Sequence, residues 1–417
     1  MRMKPRLSLI ALALLVAVPV LGQPRPVGSE FRVNGDAGPW KKHNPVAAFN
    51  AGGAALVVWE NEQNGLLGRL FGPSGAVLTD ELVLVANQKL PAVAGHGIEV
   101  VRQDPAVGFL PSGEFLLAWT EERANVSQDI FFEQRDVIDR DVFLQKFNAA
   151  GSPLGAAVQL NSTTNGYQSL PKVLVRPNGE AVVVWQTQKG GGANGIYARF
   201  VRSTGALNGG EIKIASGNAA NPALAGRTSG NSFLVSWEAD DGDSLGVFGR
   251  IFDGTAGGPA FKINTDVAGL QRRPAVVGDR TAGGWLVVWQ AQGNTSKQAH
   301  ISGQFVGAAG NLVGPQLRIS EGVGPTQIAP SVAASKGGNF LVAWLDYKDI
   351  FPLGLYGVEI DKLGNRIGDE VEINTRQVNS QFRTSLAVSP SGGVLTPWEG
   401  FTSNDNRPDI AARRVEF

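Results

Sequence analysis

A short apolar strand that ends on tryptophan recurs along the chain and constrains the fold more than any other feature. Its clearest copy is GWLVVWQ, from Gly284 to Gln290. Seven copies end at Trp59, Trp119, Trp185, Trp237, Trp289, Trp344 and Trp398, and successive tryptophans lie 52 to 66 residues apart. A near-constant period of about 50 residues indicates a propeller or a solenoid. We call this element the Trp strand.

Each repeat predicts four β-strands. A first strand begins at a proline, as at Pro45, Pro171 and Pro274, and a glycine turn leads from it to the Trp strand. A third strand follows, as in GIYARF at Gly195 to Phe200, and a fourth alternates apolar and polar residues, as in EVEIN ending at Asn374. Apolar inner strands and an alternating outer strand are typical of a propeller blade. The sequence therefore predicts an all-β, seven-bladed β-propeller of four-stranded antiparallel blades.

The two ends of the repeat array predict how the ring closes. The seventh repeat runs through a third strand at Asp409 to Val415 and has no fourth strand after it. A segment of the fourth-strand type, EFRVN at Glu30 to Asn34, instead precedes the first repeat. We expect this N-terminal strand to complete the last blade, so that residues 23–417 form one closed propeller domain. An open solenoid would need capping repeats, which the sequence lacks.

The second repeat is irregular. Two segments match a first strand, LPAVAG from Leu90 and DPAVGF from Asp104, and the sequence does not decide between them. Residues 120–140 form an insertion between the Trp strand and the third strand of this repeat. We expect this insertion to be a protruding loop or a small helix packed on the ring.

The first residues and the composition predict an exported protein. Residues 1–22 contain Arg2, Lys4 and Arg6 followed by an apolar run from Leu7 to Val20, which is the pattern of a signal peptide and too short to span a bilayer. The chain has no cysteine, which favours a bacterial, secreted or periplasmic protein, with cell-surface association as a further expectation. With 37 basic and 37 acidic residues it lacks the basic excess of a nucleic-acid-binding protein. We expect a monomer without a membrane span after the signal peptide.

The composite motif resembles a known group of repeats. The Trp strand followed by Glu or Gln, then GIYARF, then a strand of the E-x-x-I-N type is similar to repeats of exported bacterial β-propeller proteins of undefined function. The resemblance covers nearly the whole chain after the signal segment and implies a fold but no activity. The Trp-Asp pair of WD40 repeats and the S-x-D-x-G-x-x-W turn of sialidase-type blades are absent from the sequence.

Two recurrent side chains are candidates for binding. The tryptophans either fill the wedge between blades, which we expect, or serve as stacking platforms for sugars. The residue after the tryptophan is polar in five repeats, at Glu60, Gln186, Glu238, Gln290 and Glu399. We expect these residues to hydrogen-bond the backbone of a neighbouring blade, and a ring of ligand-binding groups is the alternative.

A basic patch is the candidate ligand site. The residues before the first strands differ between repeats and include Lys41, Lys42, His43, Arg272, Arg273 and Arg383. Together these side chains suit an anionic ligand at the channel mouth, and scattered solvated charges are the alternative. The long, variable loops of the repeats lie on the same predicted face, where binding surfaces are usually built.

The sequence assigns no catalytic residues, metal ligands or cofactor. The three histidines, His43, His96 and His300, have no metal-ligand spacing. The favoured hypothesis is a secreted, non-enzymatic propeller that binds or scaffolds a protein or surface ligand. The alternative is a carbohydrate-directed protein, either a lectin or a glycan-active hydrolase, with its site at the channel mouth and a glycan as its partner.

Overall fold

The fold is all-β, as the sequence predicts. The computed structural model describes residues 23–35, 40–93, 96–128, 133–227, 230–281, 283–293, 298–321, 326–346, 354–375, 382–400 and 408–417. The signal segment 1–22 therefore lies outside the described residues. Within them the single helical element is a 3₁₀ turn at Gly191–Ala193, and none of their helices is long and apolar enough to cross a membrane.

The strands follow the predicted repeats. The N-terminal strand is β1 (Arg25–Arg32). Repeat 1 contains β2 (Lys42–Phe49), β3 (Ala55–Asn61), β4 (Gly65–Phe71) and β5 (Leu82–Ala86). Repeat 2 contains β6 (Gln88–Val93), β7 (His96–Phe109), β8 (Phe115–Gln128), β9 (Glu133–Phe147) and β10 (Val158–Gln159). Repeat 3 contains β11 (Tyr167–Val175), β12 (Ala181–Gln188), β13 (Gly195–Val201) and β14 (Leu207–Ser216).

Repeats 4 to 7 have the same order. Repeat 4 contains β15 (Ala220–Gly226), β16 (Ser232–Asp240), β17 (Leu245–Asp253) and β18 (Ala256–Lys262). Repeat 5 contains β19 (Leu270–Gly278), β20 (Trp285–Gln292), β21 (Ala299–Val306) and β22 (Leu312–Arg318). Repeat 6 contains β23 (Gln327–Ala334), β24 (Phe340–Asp346), β25 (Gly354–Ile360) and β26 (Arg366–Glu372). Repeat 7 contains β27 (Phe382–Thr384), β28 (Ala387–Val388), β29 (Val394–Gly400) and β30 (Asp409–Glu416).

In repeats 1 to 6 each strand pairs antiparallel with the next, as in the order β2-β3-β4-β5 and the order β23-β24-β25-β26. In repeat 7 the short strands β27 and β28 both pair with β29, which pairs with β30. Between repeats the first strands contact one another in chain order, from β2 through β7, β11, β15, β19 and β23 to β27, and β27 contacts β2. The first strands therefore lie innermost, and each fourth strand lies at the outer edge of its own repeat.

The second repeat corrects one expectation and decides an open one. The segment DPAVGF belongs to the first strand, because Ala106 of β7 pairs with Ala118 of the Trp strand β8. The described residues of the insertion form neither a loop nor a small helix: they extend β8 to Gln128 and β9 from Glu133, with pairing from Thr120↔Val142 to Gln128↔Glu133. Residues 129–132 of the insertion lie outside the described residues. The other first-strand candidate forms β6, which pairs with the start of β7. We call this extension, residues 88–93, 96–103, 120–128 and 133–141, the arm.

The N-terminal strand pairs with the last strand of the chain. Phe31 and Arg32 of β1 pair with Ala412 and Ala411 of β30, so the predicted pairing of Glu30 to Asn34 with Asp409 to Val415 is present at these residues. Asn34 Oδ1 accepts the backbone N–H of Ile410 at 2.8 Å. In the other repeats Asn161, Asn264 and Asn374 accept the N–H of Val142, Val247 and Leu355 in the same way.

A second recurrent hydrogen bond joins β1 to repeat 1 in the way that other repeats are joined to the fourth strand before them. Arg69 Nη1 of repeat 1 donates to the carbonyl of Val33 at 3.0 Å. The equivalent arginines of repeats 3, 4 and 7, Arg199, Arg250 and Arg413, donate to the carbonyls of Leu160, Ile214 and Ile373 in the preceding repeat. Repeat 1 therefore contacts β1 as the other repeats contact the fourth strand before them.

The seven repeat tryptophans lie in the core. Trp59, Trp119, Trp185, Trp237, Trp289, Trp344 and Trp398 are at most 3% exposed. Each packs in an apolar cluster shared with the preceding repeat, so that Trp119 lies with Leu56 and Val58, and Trp59 lies with Leu395 and Ile410 of repeat 7. Because the indole rings are buried, they are not available as stacking platforms for sugars.

Candidate functional site

One backbone position recurs at the start of every first strand. Among the described residues, eight non-glycine residues have positive φ, and seven of these directly precede a first-strand proline or Thr384. They are Asn44, Asp104, Leu170, Asn221, Arg273, Ala329 and Arg383, with φ between 40° and 54°. The register between each first strand and its Trp strand shifts at the same place, as between His43 and Val46. Such a bulge redirects side chains, and we call these seven sites the entry positions.

The residue after the tryptophan holds the entry position of the next repeat. Glu60 Oε1 accepts the backbone N–H of Asp104 at 2.6 Å, and Gln186 Oε1 accepts that of Asn221 at 2.9 Å. Glu238 Oε2 accepts the N–H of Arg273 at 2.6 Å. The predicted hydrogen bond to the backbone of a neighbouring repeat is confirmed for these three residues. It compensates part of the cost, about 1 to 3 kcal/mol, of a non-glycine residue in the left-handed region.

Six of the seven entry positions, all except Asn221, line a polar cavity of about 640 Å³. Its walls come from repeats 1, 2, 3, 5, 6 and 7. The lining includes His43, Asn44, Glu60, Gln103, Asp104, Arg140, Ser169, Leu170, Gln186, Gln188, Arg273, Ile328, Ala329, Leu345, Arg383 and Glu399. The cavity therefore lies where the first strands begin and the Trp strands end, at the predicted channel mouth.

Glu60 is the most perturbed acid of this cavity. Its Oε1 atom accepts hydrogen bonds from Asn44 Nδ2 and from the backbone N–H of Asp104. Burial, followed by the neighbouring charge of Asp104, raises the pKa of Glu60 to about 7, although the two hydrogen bonds act in the opposite direction. A carboxyl group with a pKa near neutrality is suited to donate and to accept a proton at neutral pH.

A histidine–carboxylate pair lies beside Glu60 and joins repeats 1 and 7. His43 Nδ1 lies 2.8 Å from Glu399 Oε1, and His43 Nε2 lies 3.5 Å from Glu62 Oε1. The hydrogen bond with Glu399 is the main cause of a raised His43 pKa, and desolvation opposes it. Asp104 is held by the hydroxyl of Thr120, which donates to its Oδ2 atom at 3.1 Å.

Three arginines bring positive charge to the same cavity. Arg273 and Arg383 occupy entry positions, and Arg383 Nη1 donates to Asn44 Oδ1. Arg140 comes from the base of the arm, where the buried carboxylate of Glu122 accepts hydrogen bonds from it. The cavity thus combines carboxyl groups with guanidinium groups, an arrangement that can bind a polar, partly anionic ligand and move a proton.

The structure brings three of the six predicted basic residues to the cavity: His43, Arg273 and Arg383. Lys41, Lys42 and Arg272 do not line it. Lys42 is 2% exposed because its Nζ atom is turned inward, 3.4 Å from Asp409 Oδ1. Lys41 is exposed and lies 3.8 Å from Glu62, whereas Arg272 is half-buried.

Sequence reasoning missed the acids as a chemical group. Glu60 and Glu399 follow the tryptophans of repeats 1 and 7, and their recurrence indicated a structural role. Asp104 occupies an entry position, which the undecided first strand of repeat 2 concealed. The next entry position after Glu60 is an acid, Asp104, whereas the one after Glu238 is Arg273. This difference is the sequence signal that would have distinguished Glu60 from Glu238. Among the described residues, no cluster of three or more His, Asp or Glu side chains could hold a metal ion.

Comparison with known proteins identifies the type of fold. No protein-family model and no curated protein matches this chain. A protein of unknown function from Dyadobacter fermentans has 10% identity and a TM-score of 0.55, over 96% of this chain and 100% of that one. An ulvan lyase of a new polysaccharide lyase family, bound to -[GlcA(1-4)Rha3S]-, has 11% identity and a TM-score of 0.58, over 93% and 95%. The NanB sialidase of Streptococcus pneumoniae has 8% identity and a TM-score of 0.55, over 94% and 71%. The fold is β-propeller-like.

These comparisons correct the favoured functional hypothesis. We expected a non-enzymatic binding or scaffolding module. Two of these similar structures, the ulvan lyase and the sialidase, are glycan-active enzymes. The finding goes against the scaffold and favours the carbohydrate-directed alternative. Identities of 8 to 11% show the fold alone.

Proposed function

We propose that residues 23–417 form a single closed propeller of seven blades, with β1 as the outer strand of the last blade. The contacts of β27 with β2 and the hydrogen bond from Ile410 to Asn34 support closure. We also propose that residues 1–22 direct export of a bacterial protein, because a positive start followed by a short apolar run is typical of a signal peptide. The repeat motif remains consistent with exported bacterial propellers.

We propose that the protein cleaves glycosidic bonds at the cavity bounded by the entry positions. The observation that carries this proposal is Glu60, a half-buried carboxyl group whose pKa is raised to about 7 and which lines a polar cavity. Glycosidases use one carboxylic acid with a raised pKa and a second carboxylate on the other side of the scissile bond. Perturbed acids in a cleft are candidates for catalysis on physical grounds.

In this proposal Glu60 is the general acid. Its protonated form donates a proton to the leaving-group oxygen, while Asn44 and the backbone of Asp104 hold the carboxyl group in place. Asp104 supplies the second carboxylate, which acts either as the general base for a water molecule or as the nucleophile. The hydroxyl of Thr120 orients this carboxylate by donating a hydrogen bond to it. The arginines at the other entry positions bind the polar groups of the sugar.

Turnover tests this function directly. The protein is incubated with a panel of neutral and acidic oligosaccharides, and products are separated by chromatography. Glu60→Gln keeps an acceptor for the Asp104 N–H but cannot donate a proton as an acid, so we expect the rate to fall by about 10² to 10⁴. Glu238→Gln is the matched control, because Glu238 makes the same backbone hydrogen bond in repeat 4 and does not line the cavity.

Saturable binding of a glycan without turnover would contradict the enzymatic proposal and leave a lectin. Equal loss of activity in the Glu60→Gln and Glu238→Gln variants would also contradict it, because the effect would then come from the backbone hydrogen bond rather than from proton transfer.

A further inference from the structure

One wall of the cavity is apolar, and repeat 6 supplies it. The residues that repeat 6 contributes to the lining are Ile328, Ala329 and Leu345. None of these three side chains contains a hydrogen-bonding group. The lining residues of repeats 1, 2, 5 and 7 are all polar or charged, and repeat 3 adds one apolar residue, Leu170, among polar ones. We call Ile328, Ala329 and Leu345 the apolar wall.

Repeat 6 has an apolar residue at two positions where other repeats have a polar one. The residue before the entry position lines the cavity in repeats 1, 2, 3 and 6. It is polar in the first three, at His43, Gln103 and Ser169, and is Ile328 in repeat 6. The residue after the repeat tryptophan is Leu345 in repeat 6, whereas the other six repeats have Glu, Gln or Thr there.

The apolar wall is held in place by the core of repeat 6. Ile328 pairs with Leu345 across β23 and β24. Leu345 is 2% exposed and belongs to a core cluster against which Ile328 and Ala329 pack. Ile328 and Ala329 are half-buried, so these two side chains carry most of the accessible surface of the wall. The wall is therefore a small, preformed apolar surface inside a polar cavity.

Charged residues lie at the entry positions on either side of this wall. The entry positions before and after Ala329 in chain order are Arg273 and Arg383, and both arginines line the cavity. A sugar hydroxyl group placed against Ile328 and Ala329 would lose water and gain no side-chain donor or acceptor, which is unfavourable. A saccharide that fits the cavity should therefore present an apolar group to repeat 6 and polar groups elsewhere.

We infer that the apolar wall of repeat 6 binds the methyl group of a 6-deoxy sugar. This inference rests on the proposed glycan function and narrows its substrates to saccharides that contain such a sugar. A 6-deoxyhexose carries one methyl group on a ring whose other substituents are oxygens, which matches a polar cavity with one apolar wall. The guanidinium groups of Arg273 and Arg383 are donors for those oxygens. An N-acetyl group also has a methyl group, but its amide would bring a donor and an acceptor to the same wall.

Equilibrium binding tests the inference without reference to turnover. NMR titration compares two pairs of methyl glycosides that differ only at C6: the L-fucoside with the L-galactoside, and the L-rhamnoside with the L-mannoside. We expect the 6-deoxy member of at least one pair to bind about ten- to a hundred-fold more tightly, the range for a hydroxyl group in an apolar pocket. Saturation-transfer NMR with the unmodified protein should give the strongest transfer at the methyl protons of that sugar.

A substitution taken from another repeat tests the wall itself. Ile328→Gln introduces the residue that repeat 2 has at the same position, Gln103, and should remove the preference for the 6-deoxy sugar. Val313→Gln is the matched control, because Val313 is 47% exposed on the outer strand of repeat 5 and does not line the cavity. The preference should be unchanged in the control. If Ile328→Gln does not fold, saturation transfer with the unmodified protein still decides the inference.

The outcomes separate the two proposals. Equal affinity within both pairs, methyl signals weaker than those of the ring protons, a preference retained in Ile328→Gln, or no binding of any of the four sugars would overturn the methyl subsite. Tighter binding of methyl N-acetylglucosaminide than of methyl glucoside, without a 6-deoxy preference, would also overturn it. A 6-deoxy preference without turnover would overturn glycosidic cleavage and leave the subsite standing. Turnover without a 6-deoxy preference would do the reverse.

Discussion

The same hydrogen bond fixes several entry positions, but the side chains around it differ from repeat to repeat. Only around Glu60 do those side chains favour proton transfer. Gln186 and Glu238 hold the backbone of the next repeat, and the residues that follow at those entry positions are Asn221 and Arg273. At Glu60 the next entry position is occupied by Asp104, a second acid. In this surrounding, burial first and the negative charge of Asp104 second raise the pKa of the Glu60 carboxyl group to about 7.

Glu60 should make stability depend on pH. Its folded-state pKa of about 7 lies above the ordinary value of 4.5, so the folded chain binds more protons than the unfolded chain between these values. The free energy of unfolding then falls as pH rises from 4.5 to 7, by about 1.4 kcal/mol for each unit of pKa difference. Urea unfolding at pH 5 and pH 8 measures this effect. The free energy of unfolding should fall less between the two pH values in Glu60→Gln than in the unmodified protein. An identical loss in both proteins would contradict the raised pKa.

The tryptophans give a residue-scale prediction about packing. Trp289 is fully buried, and Trp289→Ala should lower the free energy of unfolding by about 3 to 5 kcal/mol. Trp40, which is 43% exposed, is the control, and Trp40→Ala should cost much less. Chemical unfolding of both variants measures the difference. Similar costs for the two substitutions would contradict packing between repeats as the role of the repeat tryptophans.

The arm is the element that distinguishes repeat 2. Its base holds a buried ionic cluster in which Glu122, 3% exposed, accepts hydrogen bonds from Arg135 and Arg140. Arg140 also lines the cavity and lies over the ring of Tyr167, with its Cζ atom 5.2 Å from the ring centroid. One carboxylate therefore connects the arm to the candidate site, and the arm extends from the same edge of the repeat.

Removing that carboxylate should loosen the arm locally. In Glu122→Ala two guanidinium groups lose their buried partner, a change that commonly costs about 3 to 5 kcal/mol. We expect faster hydrogen exchange in residues 120–128 and 133–141 and unchanged exchange in repeats 4 to 6. Glu99→Ala, which removes a more exposed partner of Arg135 at 3.0 Å, is the control and should have little effect. If hydrogen exchange in residues 120–128 and 133–141 were as slow in Glu122→Ala as in Glu99→Ala, the ionic cluster would not hold the arm.

Pattern and period decide how far the sequence predicts an element. The Trp strands, third strands and terminal asparagines were predicted from recurrence, because a repeated residue usually serves a repeated backbone contact. The arm has one copy in the chain, and its alternating charges, such as Glu121 to Arg123, are equally compatible with a solvated loop. Glu60 and Glu399 were predicted as structural for a related reason: the raised pKa of Glu60 depends on its burial and on the charge of Asp104, which is distant in sequence.

At the scale of the whole molecule, both chain ends contribute to repeat 7. If β1 supplies the outer strand, deleting residues 23–36 should expose the edge of β30 and remove the hydrogen bonds of Asn34 and Val33. We expect a lower thermal midpoint and concentration-dependent aggregation, measured by calorimetry and light scattering. A deletion of residues 23–24 alone should leave both unchanged. An unaltered midpoint in the longer deletion would contradict the closed ring.

The antiparallel register of β1 and β30 also determines how the molecule responds to mechanical force. Arg25 at the start of β1 pairs with Glu416 at the end of β30, so the two outermost residues of the pair are neighbours. A pulling force applied between these ends loads the backbone hydrogen bonds one after another, as in the opening of a zipper, rather than all together in shear. Under tension the molecule should therefore open at repeat 7 first, at low force, while the other repeats remain folded.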